Sequence, residues 1–112
     1  MMDEVRVVLV TAPDLDVARE LGRRLVEERL AACVNIVPGL TSIFRWQGEV
    51  RDESEVLLVL KTTGSVVGAL VERAASLHPY DVPEMLVLPV VEGYAPYLDW
   101  VRSEVGVEEK GV

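Results

Sequence analysis

Apolar residues run almost unbroken from Val5 to Val10, with Arg6 the one exception, and the turn-prone Thr11-Ala12-Pro13-Asp14 closes the run. That pattern predicts a buried central strand. The period then changes: from Val17 onward Ala18, Leu21, Leu25, Val26 and Leu30 recur at three- and four-residue steps, with Arg19, Glu20, Arg23, Arg24, Glu27 and Glu28 at the other positions. This spacing predicts an amphipathic helix through Leu30, capped by Asp14 or Asp16. Ala32 to Val37 again reads as strand, pauses at Pro38-Gly39, and resumes extended character from Leu40 to Trp46. A bulge or bend is expected at the pause. Gln47-Gly48 supplies a turn, and a second extended run follows through Val50 and Val56 to Leu60, so the middle of the chain is a long β-hairpin.

Within that hairpin the cluster Arg51-Asp52-Glu53-Ser54-Glu55 marks a bent or solvated stretch. Ser65 is expected to cap a second helix, whose stripe is Val66, Val67, Leu70, Val71, Ala74 and Leu77 and which Pro79 stops just after His78. Met85 to Val91 reads as a fourth strand, and Pro89 inside it requires a sheet edge or a bulge. Pro96 opens a terminal helix through Val101, and the tail from Glu108 to Gly111 is expected to fray. The order β-α-β-β-α-β plus a terminal helix, connected by right-handed crossovers, predicts a ferredoxin-like α+β sandwich forming a single domain over 1–112. Its hairpin arms are longer than ordinary strands, and two helices cannot cover them. A neighbouring subunit could.

Composition sharpens this picture. Half of the 112 residues are hydrophobic and 27% are charged, with a mean hydropathy of +0.27. So apolar a chain of this size is expected to bury surface between subunits. The formal charge of -8 opposes nucleic acid as a partner. No apolar run approaches the ~20 residues of a membrane span. One cysteine and an acidic start without the pattern of an export signal lead to a cytoplasmic expectation.

The densest chemistry is the segment His78-Pro79-Tyr80-Asp81-Val82-Pro83-Glu84, which holds the only histidine. Two prolines stiffen it into a platform. One histidine and one cysteine are too few for a closed metal site in one chain. A symmetric oligomer, or a mixed set from Cys33, His78 and Glu84, could still hold a borderline cation at an open position. Structural uses stand beside these: Cys33 as a small apolar filler, His78 meeting helix-end carbonyls. Asp81 and Glu84 near His78 are the only dense cluster suited to general acid/base work, and no nucleophile, cofactor cradle or complete metal centre accompanies them, so no catalysis is expected. The loop Thr11-Ala12-Pro13-Asp14 also lacks the glycine and cation of an acylphosphatase phosphate cradle. Lys61, one of two lysines, could hold an anionic effector from a strand end. Trp46 and Tyr80 suit packing or a subunit contact.

Five segments together resemble the CutA family of divalent-cation-tolerance proteins: Leu30 to Ile36, Ser42 to Glu49, Leu60-Lys61-Thr62-Thr63, His78 to Glu84, and Tyr97-Leu98-Asp99-Trp100. They span nearly the whole chain in the family's order. The resemblance implies a cytoplasmic homotrimer of ferredoxin-like subunits, with hairpins wrapped around neighbours as in PII signalling proteins. It also implies association with copper, zinc or other divalent cations, without an obligatory cofactor, and the proposed metal ligands fall on Cys33, His78 and Glu84. The PII likeness further implies clefts between subunits where Lys61, Trp46, Tyr80 and Glu84 meet a small ligand.

Overall fold

Val5–Ala12 forms strand β1 at the centre of a four-stranded antiparallel sheet, with Val8, Val10 and Ala12 fully buried on one face. A computed structural model describes residues 3–106, so the tail at 108–111 lies outside the described residues. Helix α1 (Leu15–Glu27) follows; Asp14 is its cap, accepting the Val17 amide at 2.9 Å. Strands β2 (Cys33–Trp46) and β3 (Glu49–Thr63) make the hairpin, α2 (Val67–Leu77) returns across the sheet, and β4 (Met85–Pro89) and α3 (Ala95–Glu104) complete the chain. The strand order is β2-β3-β1-β4. This is the expected ferredoxin-like α+β sandwich.

The core lies between one sheet face and the two long helices. Val8, Val10, Leu58 and Leu60 meet Ala18, Leu21, Leu25, Leu70 and Ala74. Each fully buried large aliphatic side chain contributes about 1.5–3 kcal/mol of transfer free energy. On the opposite face, α3 covers only one end, where Val101 packs with Val5 and Ala32.

Three boundaries differ from the sequence expectation. Helix α1 ends at Glu27 rather than Leu30, because Arg29 adopts a left-handed φ of 62° and the Leu30 and Ala31 amides fold back onto the Leu25 carbonyl. Ser65 does not cap α2: the cap position is Val66, without a side-chain bond, while the Ser65 amide and hydroxyl are both bound by the Asp3 carboxylate. The fourth strand stops at Pro89 rather than Val91 and lies at the sheet edge, where a proline removes no donor that an inner neighbour needs.

The hairpin is the element that shapes the molecule. Strand β1 pairs with β3 only from Val56 to Thr63, so Glu49–Glu55 and Leu40–Trp46 project beyond the sheet as a two-stranded arm. This contributes to overall extents of 49 × 30 × 22 Å. At the arm's tip Gln47 (φ 52°) and Gly48 (φ 81°) are both left-handed, the conformation of a tight two-residue turn. The expected bulge sits at Pro38-Gly39, where the pairing register shifts between Val37 and Leu40 and Gly39 takes a φ of 83°. The charge cluster stays within one continuous strand. Asp52, Glu53 and Ser54 are solvated, but Glu55 is buried.

Candidate functional site

A bulge adds one residue to its strand and so exchanges which side chains face each way. Before it, Cys33, Asn35 and Val37 stand opposite Lys61, Val59 and Leu57; after it, Leu40, Ser42 and Phe44 stand opposite Glu55, Glu53 and Arg51. Ser42, Phe44, Trp46, Arg51, Glu53 and Glu55 therefore share one side of the arm. That side faces the loop carrying Tyr80, Asp81 and Glu84, and the two enclose a cleft of about 610 Å³.

Two hydrogen-bonded contacts hold the loop in place. The buried ring of His78 bridges from α2 to β1, with Nε2 2.7 Å from the Thr11 carbonyl oxygen, and its Nδ1 accepts the Tyr80 amide at 3.1 Å. An amide can only donate, so Nδ1 carries the lone pair and Nε2–H donates to Thr11. Tyr80, tilted against the imidazole at 4.8 Å between ring centres, then donates its hydroxyl to Glu55 Oε2 at 2.8 Å. Burial, the bond to Glu55 and the negative charges of Glu55 and Glu53 together push the phenol well above its ordinary range. The loop is thus fastened to the sheet on one side and to the arm on the other.

Of the residues singled out from sequence, Trp46, Tyr80 and Glu84 come together in this cleft. Lys61 does not. It pairs with Val7 on β1, whereas Thr11 at the cleft pairs with Leu57, four residues away and so about 13 Å along the strand. Its ammonium instead lies 3.7 Å from Cys33 Sγ and donates to the Asn35 side chain. Cys33, His78 and Glu84 are likewise not gathered within one chain: Cys33 stands with Lys61, and both nitrogens of His78 are already engaged. Among the described residues no three His, Cys, Asp or Glu side chains are grouped as a metal ion would require. Sequence reasoning missed Glu55 and Phe44 as cleft residues. The Pro38-Gly39 signal could have found Phe44, had its effect on side-chain facing been carried forward to Trp46.

The sheet face away from α1 and α2 continues into this cleft. Beyond the part covered by α3, neighbouring strands align Val37 with Leu57, Val59 with Leu9, Leu9 with Leu86, and Val7 with Leu88. Val37, Leu86 and Leu88 are exposed and the others are half-buried. A sheet interior is left without a covering layer.

Strand order, projecting arm and uncovered face define a ferredoxin-like sandwich built to present a cleft and an apolar sheet. The model of the CutA1 divalent ion tolerance protein family matches residues 6–104. The chain belongs to that family. It is 59% identical over 105 residues to the divalent-cation tolerance protein CutA of Thermus thermophilus, covering 94% of this chain and 100% of that protein. It is 50% identical over 99 residues to human protein CutA, covering 88% of this chain but only 55% of the human one. Among solved structures, the Thermus thermophilus protein superimposes with a TM-score of 0.88 at 58% identity, covering 91% and 99% of the two chains. CutA1 of Oryza sativa superimposes with a TM-score of 0.91 at 40% identity, covering 95% and 97%.

Proposed function

We propose that this chain works as a homotrimer that binds divalent cations, copper or zinc among them, without catalysis, in a metal tolerance or response role. The observation that carries the reading is the uncovered sheet face running into a carboxylate-lined cleft. Half-exposed Val7, Leu9, Leu57 and Val59 with exposed Val37, Leu86 and Leu88 form a surface that a second copy would remove from water. Copies clasped there would close the cleft from outside and turn it into a site between subunits. Glu84 supplies carboxylate oxygens at the cleft, Cys33 supplies a thiol on the uncovered face, and His78 positions the loop that carries Glu84. A single cysteine supports a reducing, cytoplasmic setting.

Calorimetric titration with copper and with zinc tests the cation half of this reading. Glu84→Gln and Cys33→Ala are expected to weaken binding; unchanged binding in both variants would count against the assignment. His78→Ala is expected to act indirectly, by loosening the loop.

A second reading rests on Lys61. This lysine stands on the uncovered face with Cys33 and Asn35, apart from the carboxylates, and suits an anionic metabolite sensed between subunits in the manner of PII proteins. Thermal shift with nucleotides and small carboxylates would show stabilisation lost in Lys61→Met. A ligand at 100 times its dissociation constant adds about 2.7 kcal/mol, which such a screen resolves.

A further inference from the structure

We propose that Lys61 decides which ions reach Cys33, its ammonium keeping divalent cations off the sulfur, a reading that rests on Cys33 belonging to a cation site and adds what governs access to it. Cys33 stands directly opposite Lys61 in the pairing of β2 with β3, and Lys61 stands opposite Val7 on β1. Sulfur and ammonium therefore share the sheet face away from α1 and α2. Lys61 Nζ lies 3.7 Å from Cys33 Sγ. Asn35, two residues along β2 and so on the same face, accepts from the same ammonium with its side-chain oxygen. No carboxylate pairs with Lys61 among the described residues, so its charge stands uncompensated in a chain whose formal charge is -8.

These neighbours do not fit a metal ion. Zinc bonds sulfur at about 2.3 Å, so with the ammonium 3.7 Å from that sulfur the two positive charges can be no more than about 6 Å apart. Like charges at that range repel even in water, and more strongly where packed strands displace solvent. The Asn35 oxygen is already engaged by Lys61. Among the described residues no three His, Cys, Asp or Glu side chains converge to outweigh the repulsion. A divalent cation is therefore turned away from Cys33 for as long as Lys61 keeps this position. Lys61 does not line the cleft that holds Glu84, so its guard acts on the sulfur and not on the carboxylate oxygens there.

Zinc is the probe for sulfur and magnesium, which takes oxygen ligands, is the control, both titrated by calorimetry into the full chain. Lys61→Met removes the charge from a side chain of similar length. It is expected to tighten zinc binding at least about tenfold and to leave magnesium within about twofold. Lys61→Gln is a second neutral variant with the same expectation, and circular dichroism reports whether each is folded at this half-buried position. Lys61→Arg keeps a positive charge and is expected to bind zinc as the native chain does. Adding Cys33→Ala to either neutral variant is expected to abolish the gain, so the two substitutions are not additive. Zinc affinity unmoved in folded neutral variants, or raised as much without Cys33, or raised no more than that of magnesium, overturns the proposal. Zinc bound by the native chain and weakened by Cys33→Ala, with no gain in the neutral variants, refutes the guard and leaves the cation reading standing. Zinc bound by the neutral variants through Cys33 but not by the native chain supports the guard and removes that reading for the native protein. Zinc bound by none of them overturns both.

Discussion

At the scale of single residues, His78 and Tyr80 decide whether the cleft exists. The imidazole donates from Nε2 and accepts at Nδ1, where the Tyr80 amide points. His78→Ala leaves the Thr11 carbonyl and the Tyr80 amide without these partners, and each group left unpaired and buried costs about 1–3 kcal/mol. A urea titration is expected to show that loss with an unchanged slope. Tyr80 carries a pH signature as well. Its folded-state pKa lies above the ordinary phenol value of 10.0, so the unfolded chain ionises first as pH rises. The stability contributed by the neutral phenol is present below that value and is lost as the solution is made more alkaline. The wild-type denaturation midpoint is therefore expected to fall between about pH 9 and about pH 12, and Tyr80→Phe to lack that component while starting from a lower midpoint.

Legibility at this scale followed the range of the interaction. Tyr80, Glu84 and Trp46 were found because a histidine and two prolines concentrate chemistry in one stretch and because large rings are rare in this chain. The partner of Tyr80 was not. Glu55 sits in a run of charged residues that reads as solvated, and only the folding of a loop 25 residues away buries it to 8% exposure. Cys33 and His78 looked like companions because zinc and copper sites draw on nitrogen and sulfur ligands and each is the one residue of its type. Strand register separates them.

Among the elements, the arm is where local sequence exerts the most control. A two-residue turn with both positions left-handed favours asparagine then glycine, and this chain has glutamine then glycine. Gly48→Ala is expected to destabilise by about 1 kcal/mol, and Gln47→Asn to stabilise by a few tenths, both read from thermal melts. The hairpin, its bulge and its turn were all legible, since Pro38-Gly39 and Gln47-Gly48 act on their own backbones. Helix ends were less so. The Asp3 carboxylate binds Ser65 across 62 positions, and Arg29 ends α1 while its guanidinium donates to the Ser103 carbonyl at 3.1 Å. Neither arrangement has a signal near the residue it affects.

For the molecule as a whole, the uncovered face is the surface that the proposed trimer would bury. Leu86 is 53% exposed at its margin, paired with Leu9. In a trimer built on this face, Leu86→Lys would bury a charge without a partner, while in a lone chain the same lysine would be solvated. Light scattering is expected to give three times the 12.4 kDa chain mass for the native protein and a smaller species for the variant. A monomer mass for the native protein at micromolar concentration would remove the assembly.

The two rims of the sheet, β2 and β4, each include an imino acid, Pro38 and Pro89. A further strand annealing to either rim would meet an interruption in the ladder it must match. For so greasy a chain, that disfavours open-ended addition of strands, so concentration alone should not turn it into amyloid.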